Sequence, residues 1–143
     1  MTDEKKCGCN AHTEESKIKR PSYYGEKRAV LGEVIAEVNA RGGRLELSNA
    51  WSRAILTREI HEIMLTPTAH SPGETLPEFT AVAFFEATQG GHTVIGDRLY
   101  LNGEEVATLI GYEMNHMPNH MNIVFIAKGE TTEFKLGDQI KIQ

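Results

Sequence analysis

Short apolar runs separated by clusters of glycine, proline and asparagine set the rhythm of this chain. From Ala29 onward, Val30, Leu31, Val34, Ile35 and Val38 gather around Gly32, and the stretch Asn39-Ala40-Arg41-Gly42-Gly43 then precedes Leu45 and Leu47. Glycine supplies the positive φ angles of a tight reversal, so a hairpin is expected there. Between Trp51 and Thr66 two signals compete. Ser48 or Asn49 could cap a helix holding Trp51, Ala54 and Ile55, whereas the β-branched series Ile55, Thr57, Ile60, Ile63, Thr66 favours extended chain. The expectation is a turn or short helix near Trp51 followed by a strand. Pro67, Pro72 and Pro77 then make Thr66 to Glu78 an extended loop without regular pairing.

Phe79 to Thr88 reads as a buried strand, and Gln89-Gly90-Gly91 as its turn into His92-Thr93-Val94-Ile95. Gly96-Asp97 makes a corner before Leu99 to Leu101. Asn102-Gly103, the strongest short hairpin signal, reverses the chain into Val106 to Tyr112. Ile123 to Ala127 is a further strand, Lys128 to Thr132 a turn, and Phe134 to Ile142 a closing strand with a corner at Gly137-Asp138. Many short strands with turn signals about every ten residues predict an all-β, mainly antiparallel fold: a small barrel or sandwich with at most one short helix. A barrel is preferred, because the Gly-Asp corners let strands bend around it.

The N-terminal stretch has a different character. Residues 1–28 carry many Lys, Glu, Ser and Thr and almost no aliphatics, so they are expected to form a flexible tail. Residues 29–143 then form one domain, and at 40% apolar content the chain can build a core without disulfides. Cys7 and Cys9 are the only cysteines, and with His12 they offer three soft ligands, one fewer than a structural zinc site uses. Free thiols in a tail are the expectation.

Charge narrows the partners. A net charge of -5 repels a phosphate backbone, so nucleic acid is not expected. No apolar stretch approaches the roughly 20 residues that span a bilayer, and the N-terminus lacks the hydrophobic segment of a secretory signal, so a cytoplasmic location without a membrane partner is expected. No phosphate-cradling glycine loop, dinucleotide fingerprint or Gly-x-Ser-x-Gly turn occurs, and the thiols of the tail make a cysteine nucleophile unexpected.

The chemistry concentrates in Glu113-Met114-Asn115-His116-Met117-Pro118-Asn119-His120-Met121-Asn122, which holds two of the six histidines and three of the five methionines. On a straight strand His116 and His120 would lie about 13 Å apart. Pro118 argues for a bend or one turn of helix, which would bring their Cβ atoms to roughly 6 Å, the spacing of paired ligands. His116 and His120 are therefore candidate ligands of a divalent metal, zinc or iron, with Glu113 as third ligand or general base and His92 or His61 completing the sphere. Such an ion would polarise a carbonyl or activate water on a small polar substrate. Asn115, Asn119, Asn122 and His61 are candidate ligand-binding groups.

Other readings of the same residues stand beside this one. Thioethers at Met114, Met117 and Met121 with imidazole would suit copper in a carrier without catalysis. A metal-free pocket would use one His as proton donor or acceptor. Asn and His side chains could also simply satisfy backbone groups where proline breaks a strand. As an interaction module, the domain would use the segment to dock a protein subunit, and an apolar face around Phe84 and Phe85 could pair two copies. Glu59-Ile60-His61-Glu62 alternates as a half-exposed strand does, which predicts surface pairing. His70, among prolines, is expected to be a solvated loop residue that could act in a lid.

Overall fold

The computed structural model describes residues 24–129 and 133–143. Cys7, Cys9 and His12, most of the expected tail and the end of the Lys128 to Thr132 turn lie outside the described residues. No helix occurs among the described residues; the elements are the eleven strands β1 (Val30–Gly42), β2 (Leu45–Glu46), β3 (Ser52–Ile55), β4 (Ile60–Thr66), β5 (Thr75–Leu76), β6 (Phe79–Gln89), β7 (Gly91–Val94), β8 (Arg98–Leu101), β9 (Glu104–Glu113), β10 (Asn122–Ala127) and β11 (Gln139–Ile142). Seven of them close a barrel in the order β1-β11-β8-β9-β10-β4-β6, and β2-β5 and β3-β7 form two small sheets outside that ring. The expected all-β barrel is the fold. No helix of the described residues is long and apolar enough to cross a membrane.

Strand directions cannot alternate all the way around a ring of seven. One neighbouring pair has to run parallel, and that seam is β10 against β4, with Asn122 opposite Glu62 and Ile123 opposite Ile63. The other pairs are antiparallel.

Side chains alternate inward and outward along each strand. Ile63, Leu65, Phe85, Leu109, Tyr112, Ile123, Phe125 and Ile140 fill the interior. A second cluster lies on the other face of the same wall, where Met64, Ile110 and Val124 are covered by Leu47 and Leu76 of the β2-β5 region. Both faces of β4, β9 and β10 are thus dry over part of their length, which accounts for the unbroken apolar runs Ile63-Met64-Leu65 and Ile123-Val124-Phe125.

The Asn102-Gly103 hairpin forms as expected, with positive φ at Asn102 (51°) and Gly103 (87°). Two other expected hairpins do not. Asn39 to Gly43 continues β1, which bends through irregular pairing with β6, and Leu45 instead pairs with Leu76. Gly42 and Gly43 are needed because a Cβ there would strike the Phe79 ring and the Pro77 carbonyl. Around Gly90 the chain leaves β6 for β3, to which β7 pairs. The short helix considered near Trp51 is strand β3, and the proline loop contains the two paired residues of β5. The closing strand is shorter than expected, because Lys135 to Asp138 form a turn closed by a 2.9 Å bond from the Asp138 N–H to the Lys135 carbonyl.

The entry to the barrel is pinned by an ion pair. Lys27 Nζ lies 2.6 Å from Asp97 Oδ2, and both groups are largely withdrawn from solvent. The same carboxylate oxygen accepts the Val94 N–H at 3.0 Å, closing the corner between β7 and β8.

Candidate functional site

The parallel seam carries a row of polar side chains on the outer wall. Asn122 is register partner of Glu62 on one side and of Glu113 on the other. Facing residues on neighbouring strands project to the same side. All three are buried: Glu62 is 8% exposed, Glu113 1% and Asn122 1%. The segment between β9 and β10 folds over this row. It turns through bonds from the Met117 N–H to the Met114 carbonyl and from the Asn119 and His120 N–H groups to the His116 carbonyl, with a cis Met117–Pro118 bond.

That turn brings the two imidazoles together. The rings of His116 and His120 stack with centroids 5.0 Å apart and 11° between planes, and Phe84 meets His120 edge-on with centroids 5.1 Å apart. Stacked rings hold their lone pairs nearly parallel, whereas two ligands of one ion must aim theirs at a common point. His116 and His120 in this arrangement do not chelate together. Among the described residues no three His, Cys, Asp or Glu side chains are grouped so that they could hold an ion.

Glu113 is committed to hydrogen bonds. Its Oε1 accepts Asn122 Nδ2 at 2.7 Å and its Oε2 accepts the Asn115 N–H at 3.0 Å. It therefore fixes the Asn122 amide through its nitrogen on the β9 side, while Asn122 itself stands opposite Glu62 of β4. Asn122 Oδ1 is buried and has no hydrogen-bond partner among the described residues; His120 Nε2 is in the same position. Nε2 does lie 3.4 Å from Glu62 Oε1, an ion-pair distance, without forming a hydrogen bond. His120 Nδ1 sits 2.8 Å from Asn119 Oδ1. An amide oxygen only accepts, so the ring proton belongs on Nδ1, and in the neutral ring Nε2 presents a lone pair.

Three polar atoms thus belong to the seam: Glu62 Oε1 and His120 Nε2, 3.4 Å apart, and Asn122 Oδ1 from the residue opposite Glu62, the last two buried without a hydrogen-bond partner among the described residues. Burial pushes the Glu62 carboxyl above its ordinary value; His120 and His116 oppose the shift when they carry a proton, and Glu113 reinforces it. The usual value is 4.5, and between it and the raised value the folded chain keeps a proton that the unfolded chain has released. Stability of chelator-treated protein is therefore expected to fall as pH rises through that window. Urea unfolding across the window should show that slope in the parent and a flatter one in Glu62→Gln.

The other expected site residues lie apart. His92 is exposed on β7, with Nδ1 3.4 Å from the Tyr24 hydroxyl. His70 bonds Thr68 at 2.7 Å and approaches Glu74 within its own loop. His61 points into the barrel opposite Phe85. The methionines diverge: Met121 is 1% exposed in the interior core, Met114 packs against that core, and Met117 is 40% exposed. No thioether pair is assembled beside the imidazoles. Phe85 is a core residue and Phe84 is half-buried against His120, so the apolar face expected from the two together is not formed.

Surface pairing along Glu59 to Glu62 is also corrected. Ile60 is the exposed residue, while His61 and Glu62 are buried. Glu62, expected from sequence only in surface pairing and not as a site residue, belongs to the row. The signal was next to it: a strand whose following residues are apolar on both faces is covered on both, and its polar start shares that cover. At the opposite end of the barrel a cleft of about 240 Å³ is lined by Arg41, Leu65, Thr66, Phe79, Thr80 and Val82.

No curated protein and no solved structure matches this chain. A family model does match it over residues 24–143, which span the whole described barrel, and the chain belongs to that family, the family of unknown function DUF6917.

Proposed function

We propose that this domain binds one divalent cation at the parallel seam, through Glu62 Oε1, His120 Nε2 and Asn122 Oδ1. The observation that carries the reading is that His120 Nε2 and Asn122 Oδ1, on either side of Met121, are both buried without a hydrogen-bond partner among the described residues, the first 3.4 Å from Glu62 Oε1 and the second on the residue opposite Glu62. Buried acceptors facing one another are costly unless something positive lies between them. One imidazole nitrogen with two hard oxygens suits zinc, iron or manganese, and the divergence of the methionines argues against a copper carrier. Three protein donors leave coordination positions for water or a small polar molecule, and an open position is what a hydrolytic or carbonyl-polarising site requires.

Two of the groups expected as ligands have supporting roles in this arrangement. Glu113 orients Asn122, and Asn119 sets the tautomer of His120, as outer partners of a metal site do. His116 covers His120 from the solvent side.

A second reading has one observation in its favour. At 3.4 Å a proton held between Glu62 and His120 would also relieve the acceptor clash, making the row a metal-free polar site. Titration of chelator-stripped full-length protein with zinc, manganese and ferrous iron, followed by calorimetry, separates the two. Near one equivalent bound per chain supports the cation site. No binding of any of the three would sink it and leave the shared proton.

A further inference from the structure

The chain enters β10 through Met121, whose neighbours on either side are the two donors His120 and Asn122. Pairing of β10 with β9 begins only at Asn122, so the buried Met121 backbone has no place in that ladder. β4 takes hold of it instead. The Glu62 N–H donates to the Met121 carbonyl at 3.0 Å, and the Met121 N–H donates to His61 Nδ1 at 3.0 Å.

That second bond defines the His61 ring. Nδ1 accepts, so the proton is on Nε2, which donates to Glu59 Oε1 at 3.1 Å. The same oxygen accepts the Leu56 N–H at 3.0 Å and is thereby tied to the turn before β4. Burial alone would raise the Glu59 carboxyl, but the Leu56 and His61 hydrogen bonds outweigh it and hold it below its ordinary value. The result is a relay from the turn to Glu59, to His61, to the Met121 amide.

We propose that His61 is the positioning residue of the seam, its Nδ1 lone pair fixing the backbone that aims His120 Nε2 and Asn122 Oδ1 at Glu62. The proposal rests on the cation reading given above. His61 faces the interior of the barrel, on the other side of β4 from Glu62, so it acts through the Met121 backbone and touches no ion. A buried N–H left without an acceptor would be expected to seek another partner, and a shift of a few tenths of an ångström spoils a coordination geometry.

Two substitutions separate the hydrogen bond from packing. His61→Asn keeps an acceptor near the Nδ1 position and loses ring volume; His61→Phe fills the volume and removes the acceptor. Both are first checked for cooperative thermal unfolding. Zinc affinity is then expected within a few-fold of the parent for Asn and about 10–100-fold weaker for Phe, the range for lost outer-shell support. Amide exchange at Met121 should quicken in Phe and remain slow in Asn. The reverse order of affinities, or equal affinity in both, would overturn the proposal. If the parent binds no cation, the cation reading has failed, and Met121 exchange alone decides: equal protection in Phe and parent shows that His61 does not hold this backbone.

Discussion

Glu62→Gln is expected to weaken zinc binding by about 100-fold or more, since loss of an outer partner already costs up to about that much. The same change should cost the metal-free protein little. Gln has nearly the shape of Glu, and a carboxyl whose burial disfavours its charged form destabilises the fold at neutral pH. A neutral amide also brings N–H donors to face the acceptors His120 Nε2 and Asn122 Oδ1. Stability of the variant at pH 7 in chelator is therefore expected to equal or exceed that of the parent. The two measurements are calorimetric titration and urea unfolding. Lost binding with retained stability marks a group kept for function; a variant that binds zinc as the parent does would remove Glu62 from the site.

Asp97→Ala is expected to have the opposite character, with a large loss of stability and no direct effect on the seam. Its carboxylate joins Lys27 at 2.6 Å and the Val94 N–H at 3.0 Å. Breaking a buried pair costs about 3–5 kcal/mol when the remaining charge is trapped. Lys27 can partly reach water, so about 3 kcal/mol is the expectation here, inclusive of the orphaned Val94 N–H. Asp97→Asn retains an acceptor for Val94 and should lose less. Urea unfolding gives the difference, and a loss below about 1 kcal/mol would mean that the pair does not hold the corner.

The parts of this fold that were legible in sequence are those decided locally. Asn102-Gly103 needs nothing beyond two residues that tolerate positive φ, and the hairpin is there. The turn that brings His116 to His120 was likewise readable from Pro118. Long-range pairing was not. The Asn39 to Gly43 stretch has the composition of a reversal, yet its glycines serve close packing against Phe79 and Pro77, residues remote in the chain. The hydrogen-bond partner of Glu113 was hidden for the same reason: Asn122 is set opposite it by register between β9 and β10. Glu62 meets Asn122 only across strands that are not consecutive.

The odd strand count therefore has a consequence for how the barrel opens. Both strands of the seam begin at the same rim, with Glu62 on one lip and Asn122, led in by His120, on the other. Unzipping that junction would leave every antiparallel pair whole while parting the donors. On the proposed cation reading, ion occupancy would act as a latch and as a gauge of closure: at 100 times its dissociation constant, a cation held only by the shut barrel would add about 2.7 kcal/mol against gaping.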